Sequence, residues 1–581
     1  MEHKISKRNF LITSAAATAA ILTWEPVFSL ARAATVPKPR RLNLNGSWQV
    51  SQLDKNDWIS AIVPGCIHTD LLAAGKIPDP FYRENEKTVQ WVGESDWLYK
   101  RTFNVPDEVL KNDRVLLRCE GLDTLATIKI NGKEIGRADN MFRLWEYDVK
   151  SALRAGENTI EILFSSPVAY YKERERTSTG SPEKFVKERA WVRKEPCSFG
   201  WDWGPVLAAC GIWKDISLET FNQGHIADIS VLQNLSDKNK ATLAVEVNVE
   251  AVGETTKSFQ AVLTVLDGKK SVAKKTIEIS NGRGKGELEI KHPKLWWPAG
   301  MGEQPLYEVH VELLGANGDA IDSQSKRIGL RDLKVVLPQG DSPLHFEVNG
   351  IPFFSKGANW IPADSFANRV TPEISRRYVA DAVAVNINTL RFWGGGYYED
   401  DALFDACDEM GVCVWLDFKF ACSAYPAFDD KFMDNVRLEA RDNLQRLRHH
   451  PSIAVWCGNN EISLLNLADE WRDNTMNRPD YDKLFKVLLG KQVQQFAPQA
   501  NYVSGSPDCG DVHYWDVWHG PKMFDALSRV DGFHERVRLS IFSRPENRPR
   551  FHQRRRSRLG RDAGDALAST FRRSRRQPEN G

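Results

Sequence analysis

The chain has 581 residues, 42% of them hydrophobic and 27% charged, with a formal net charge of +1. Such a length calls for three or four domains, and this composition excludes a fibrous or wholly disordered chain. The near-zero charge excludes a general electrostatic pull toward nucleic acid or acidic lipid, and nine scattered Cys exclude a disulfide framework or a zinc site of standard spacing.

At the N-terminus Lys4, Lys7 and Arg8 precede an apolar and small-residue run from Phe10 to Leu22, and Ala31-Arg32-Ala33 offers an A-x-A cleavage site. Residues 1–33 read as an export signal, twin-arginine-like but with Lys in place of the first Arg. The run is short and Glu25 interrupts its continuation, which argues against a membrane anchor. The expectation is an exported bacterial protein, periplasmic or secreted, with no stable membrane insertion of the mature chain.

Residues 41–220 read as all-β. Trp97–Phe103, Arg114–Arg118, Ala126–Ile130 and Thr159–Phe164 are short β-rich runs, and Asn131-Gly132 supplies a hairpin signal. Many short strands with such punctuation suggest a β-sandwich of jelly-roll type, a fold that often binds sugars without proving that it does. Residues 221–332 hold a second β segment. Thr242–Glu250, Glu287–Ile290 and Pro305–Leu313 alternate in polarity, and the span fits one immunoglobulin-like sandwich.

From residue 333 to 530 the pattern turns to strand, helix, strand, helix. A strand at Pro352–Gly357 leads to a helix with Thr371 as N-cap and Pro372 at its first position. Further strands are expected at Thr389–Trp393, Val412–Asp417, Ile453–Trp456 and Asn501–Ser504, with a sixth at Asp511–Trp515. Helices fall between them, one ending at Gly411, one over Lys431–Arg448 and one near Tyr481–Gln495. Repeated βα units imply a parallel sheet, and about six strands make an incomplete (β/α)8 TIM barrel. Such barrels carry their chemistry where the strands end, and Ile453-Ala-Val-Trp-Cys-Gly-Asn-Asn-Glu461 ends in two amides and a carboxylate. Read alone, Glu461 is equally a loop acid. Asp202 is equally a turn acid between two core Trp residues, and Trp393 and Trp515 equally core packing. Asp417 ends a strand, where a site role and an ion-pair role are both open, and His513 reads as a satisfied structural histidine.

Several stretches together carry a family resemblance: Gly200-Trp-Asp-Trp-Gly-Pro205, Arg391-Phe-Trp-Gly-Gly-Gly396, Trp456-Cys-Gly-Asn-Asn-Glu461 and Gly510-Asp-Val-His-Tyr-Trp515. Over residues 41–530 the chain resembles glycoside hydrolase family 2, and within it the β-mannosidases. The resemblance implies a retaining exo-hydrolase that removes terminal non-reducing β-D-mannose from oligosaccharides or glycoconjugates. It implies Glu461 as acid/base, Asn460 as the partner of the sugar 2-hydroxyl and Asp202 as a ligand of distal hydroxyls. Trp393, Tyr514 and Trp515 would line the sugar. No metal and no organic cofactor is implied. Two other readings stand beside it, a carbohydrate-binding remnant without catalysis and another family 2 exo-glycosidase such as an exo-glucosaminidase.

The resemblance also implies a nucleophilic Glu in a Ser-Glu-Phe-Gly-type motif, which this sequence lacks. Instead residues 531–581 form an aberrant Arg-rich tail, with no Lys after Lys522 and runs such as Gln553-Arg-Arg-Arg-Ser-Arg558. Back-translated and read one base later, Phe533–Phe542 permits Phe-Met-Ser-Glu-Phe-Gly-Phe-Gln-Ser. A reading-frame slip near Asp531–Phe533 is therefore expected, and the literal chain is expected to be impaired.

Overall fold

The computed structural model describes residues 40–177, 188–253, 259–338, 344–470, 475–508, 510–515 and 533–534. The export segment and the Arg-rich tail beyond residue 534 lie outside the described residues. Among the described residues no helix is long and apolar enough to cross a membrane.

The first β layer pairs, in order, Ile59–Val63, Gly46–Gln52, Trp97–Val105, Gly156–Ser165, Leu125–Ile130 and Lys133–Ala138. It faces a second sheet of Arg40–Asn43, Ile216–Phe221, Arg114–Cys119 and Trp145–Asp148. Alternation makes the sandwich: in Gly156–Ser165 every second residue, Asn158, Ile160, Ile162 and Phe164, is buried. Ile162 sits opposite Tyr99 on one side and Ile128 on the other, so three strands contribute to one apolar row. A second sandwich follows. Gly224–Asp237, Lys240–Ala251 and Arg283–Lys291 form one sheet; Lys270–Ile279, Phe259–Asp267, Tyr307–Leu314 and Ala320–Ile328 form the other. Their inward residues, among them Leu243, Val245, Leu263 and Val311, close its core.

The expected strand at Pro352–Gly357 is corrected by the structure. Ile351–Phe353 pairs antiparallel with His345–Val348 across Asn349 and Gly350, whose φ angles of 50° and 80° suit a tight hairpin turn. The parallel sheet starts later, at β1 (Gly357–Trp360), and continues through β2 (Thr389–Phe392), β3 (Cys413–Asp417), β4 (Ile453–Cys457) and β5 (Asn501–Val503). All four pairings in this sheet are parallel. A separate parallel pair joins β6 (Asp511–Val512) to β7 (Phe533–His534). Between the strands run α1 (Pro372–Ala384), α2 (Asp401–Met410), α3 (Asp430–Leu447) and α4 (Leu489–Phe496). Thr371 Oγ1 accepts the Ile374 amide at the start of α1, and Gly411 takes the left-handed conformation that ends α2. β2, β3 and β4 are buried on both faces, as a helix-covered parallel sheet requires.

The layers are tied by buried ions rather than by apolar contact alone. Arg193, from the first sandwich, makes a bidentate pair with Glu439 of α3 at 2.7 and 2.9 Å. Asn140 Nδ2 and the Tyr398 hydroxyl also donate to Glu439, at 2.9 and 3.2 Å. Arg448, just past α3, holds Asp228 of the second sandwich at 2.6 Å. Removing one member of a buried ion pair leaves the other charge unpaired in a low-dielectric site. Glu439→Ala is therefore expected to cost about 3–5 kcal/mol, read as a lowered urea midpoint.

Candidate active site

Glu461 sits just past the end of β4, and four backbone hydrogen bonds lace the chain around it to its neighbours. Asn460 N donates to Phe420 O at 2.9 Å and Cys422 N to Asn460 O at 3.0 Å, lacing the segment after β3 to the segment after β4. On the other side Ser506 N donates to Asn459 O and Glu461 N to Ser506 O, at 2.9 and 2.7 Å. This lacing holds Glu461 at φ 62°, the left-handed region, at a cost of about 1–2 kcal/mol for a residue with a Cβ. The side chain is 3% exposed.

Both carboxylate oxygens are held. Oε1 lies 2.5 Å from His513 Nδ1 and Oε2 accepts from the Cys422 thiol at 3.3 Å. His513 Nε2 lies 2.9 Å from Ser506 Oγ, which donates to Asp511 at 2.6 Å. Asn460 Oδ1 accepts from Arg391 at 3.1 Å, and its amide nitrogen donates to Cys422 Sγ at 3.3 Å. Arg391 in turn holds Asp417 at 2.8 Å, so that acid is engaged in a buried pair, where it also receives the Gly394 amide. Asn459 turns away from this group: it donates to Ser504 O and caps the Ile462 amide.

Trp393 follows β2 and is 4% exposed. Its indole lies against Gly395, where a Cβ would stand 1.8 Å from the ring, so that position takes glycine for want of space. Trp201 and Trp203 meet Trp393 edge-on, with ring centroids 4.6 and 5.8 Å away, and Asp202 is exposed between them. Cys197 N donates to Gly395 O at 2.9 Å, anchoring the same segment. Tyr514 and Trp515 follow His513 and are half-buried. The structure thus gathers Glu461 and Asn460 into one hydrogen-bonded group and sets Trp393 against the Trp201–Trp203 loop. His513, Arg391 and Cys422 are residues that sequence reasoning missed. His513 belongs to the Gly510–Trp515 stretch, but nothing in sequence order places it on Glu461.

Behind this layer lies a set of buried charges. Lys194 pairs with Asp123 and stands 3.9 Å from Glu195. Burial pushes the Glu195 carboxyl up to about 8, against the pull of Lys194. Burial likewise raises Glu399 to about 7, although Trp360 Nε1 donates to it at 2.7 Å. Among the described residues Asp405, Asp408 and His450 converge as a metal would require. Asp405 already pairs with Arg327 at 2.6 Å, and Asp408 is hydrogen-bonded to His450 at 2.6 Å, so these ligand atoms already have protein partners.

Residues 48–214 match the family model described as glycosyl hydrolase 2 galactose-binding domain-like, and residues 224–331 match the model of glycosyl hydrolases family 2. The chain is 36% identical over 506 residues to beta-mannosidase B of Emericella nidulans, spanning 81% of this chain and 59% of that protein. It is 33% identical over 508 residues to the beta-mannosidase of Bos taurus, spanning 83% and 57%. The solved beta-D-mannosidase of Dictyoglomus thermophilum is similar at 37% identity with a TM-score of 0.79, covering 84% of this chain and 62% of that one. An exo-chitosanase of Amycolatopsis orientalis shares the fold alone, at 17% identity and a TM-score of 0.61. The chain spans about three fifths of the length of these mannosidase relatives.

Because Glu195 and Glu399 bind protons more tightly folded than unfolded, their stabilising contribution is complete below about pH 4.5 and is lost as pH rises through about 7 to 8. Glu399→Gln keeps a neutral group at one of these positions. Its melting temperature is expected to gain on that of the unaltered chain between about pH 5 and about pH 8, read by calorimetry. Two family models matched in tandem assign residues 48–214 and 224–331 to glycosyl hydrolase family 2, and mannosidases align across four fifths of the chain.

Proposed function

We propose that this chain derives from a retaining exo-β-mannosidase that removes terminal non-reducing β-D-mannose from oligosaccharides or glycoconjugates. The observation that carries the reading is the pairing of a buried, doubly held Glu461 with an Arg391-held Asn460 where β4 ends. In that mechanism Glu461 gives its proton to the leaving oxygen and later takes one from water. The short contact to His513 provides a place for that proton to shift. Asn460 would hold the 2-hydroxyl, where a hydrogen bond strengthens as the ring approaches an oxocarbenium ion. Asp202 would meet distal hydroxyls, and Trp393, Tyr514 and Trp515 would line the sugar. The domain limits at 41–220, 221–332 and 333–530, a barrel completed to eight strands and an exported location belong to the same proposal.

Retention requires a second carboxylate about 5–5.5 Å from the first, as nucleophile. In this reading it lies in the alternative reading frame that begins near Phe533, so the literal polypeptide binds sugar but turns it over poorly. The similarity to mannosidases favours mannose over glucosamine, because the exo-chitosanase likeness extends only to the fold.

Hydrolysis of 4-nitrophenyl β-D-mannoside tests this. The 581-residue chain is expected to show negligible turnover, whereas a chain with the frame restored after Gly532 should hydrolyse the mannoside in preference to the β-glucosaminide and β-galactoside. In the restored chain Glu461→Gln is expected to lower kcat by about a hundred- to ten-thousandfold. Turnover by the literal chain at the restored chain's rate would refute the missing nucleophile. A restored chain that binds mannosides without cleaving them would favour the binding remnant.

A further inference from the structure

The group of buried charges behind Trp393 includes one ammonium whose directed bond serves neither sandwich core nor ion pair. Lys419 lies two residues past β3 and is 1% exposed. Its Nζ donates to the Trp393 carbonyl at 3.4 Å and stands 5.0 Å from the centre of the Tyr398 ring. Its own carbonyl accepts from Arg193 Nη1 at 3.1 Å, so the residue is also gripped by the segment that carries Trp201 and Trp203.

The acids that face the ammonium are Asp417, Glu399 and Glu439, with the Cys197 thiol beside them. Each acid has a closer partner of its own: Arg391 at 2.8 Å for Asp417, Trp360 at 2.7 Å for Glu399 and Arg193 at 2.7 Å for Glu439. Their summed field keeps a charge tolerable there, but the hydrogen bond goes to Trp393. Burying an ammonium is costly, and an apolar side chain would fill the space at less expense in free energy. What the ammonium adds is a fixed height for the Trp393 peptide, hence for the indole that rests on Gly395 and receives the edges of Trp201 and Trp203.

We propose that Lys419 is a positioning residue: through the Trp393 carbonyl it fixes the indole wall against which the sugar packs. The proposal rests on the reading of Trp393 as a sugar-lining residue. The bond is strongest from the charged form of the side chain, and burial brings the ammonium down to about 8, so in the alkaline range a weaker, neutral donor takes its place.

The test is binding of D-mannose to the purified 581-residue chain, followed by saturation-transfer NMR and calorimetry across neutral and alkaline pH. The unaltered chain is expected to bind with steady affinity near neutrality and about three- to tenfold more weakly by about pH 9, the scale of the difference between a hydrogen bond from a charged and from a neutral donor. K419M should be weaker by a similar factor at every pH, with a flat profile. K419R, which keeps its charge throughout this range, should retain neutral affinity into the alkaline limb. E399Q and E195Q remove the two nearby acids that titrate in the same range, and each should keep the alkaline fall. Equal affinity and an equal profile in K419M and the unaltered chain would overturn the positioning role alone. Failure of the unaltered chain to bind mannose would overturn the sugar reading and this proposal with it. Should K419M not fold, loss of the alkaline fall in K419R still supports the role, and its persistence there refutes it.

Discussion

One buried guanidinium connects most of what surrounds Glu461. Arg391, at the end of β2, holds Asp417 of β3 and Asn460 beyond β4, and its Nη1 comes within 3.4 Å of His513 Nε2. A planar fork with several donors can satisfy partners on three strands at once, which a point-charge ammonium cannot do with the same rigidity. Because Asp417 offsets its charge, Arg391 can remain buried and still orient an uncharged amide. Asn460 then needs no contact with solvent to be fixed, and Glu461 inherits its position from the residue before it.

The site also depends on a distant part of the chain. Arg193 and Cys197 anchor the loop bearing Trp201, Asp202 and Trp203 to the parallel sheet, through Glu439 and Gly395 respectively. The aromatic wall is therefore shared between two separately cored layers, and neither layer carries it alone. Charges buried at such a junction are weak contributors to net stability but strong constraints on geometry. The group formed by Lys194, Glu195, Glu399 and Lys419 fits that description better than it fits a general stabilising role.

Much of the architecture was legible because period and punctuation are local. The alternation in Thr242–Glu250, the Thr371-Pro372 helix start and the Gly411 stop all appear as the residues imply. The parallel sheet starts later than the βα rhythm implies, because Asn349-Gly350, a hairpin signal of the strongest kind, turns Ile351–Phe353 back onto Phe346–Val348. The helix near Tyr481 carries a π-helical stretch over Asp482–Leu488 between the α-helical segments Arg478–Tyr481 and Leu489–Phe496, which propensity does not foretell. At the site, Glu461 and Asn460 were visible because a strand end announces them. His513, Cys422 and Lys419 were not. Their partners lie far off in sequence, and a lysine between two phenylalanines gives no sign that its ammonium will be buried.

The left-handed backbone at Glu461 has a consequence for how this chain changes over time. Glycine, or asparagine more readily than most residues, would occupy that conformation at lower backbone cost, but neither would keep the two buried contacts that the carboxylate makes with His513 and Cys422. Any such replacement relaxes the backbone and gives up side-chain partners in the same step, so the position is held between two opposing costs.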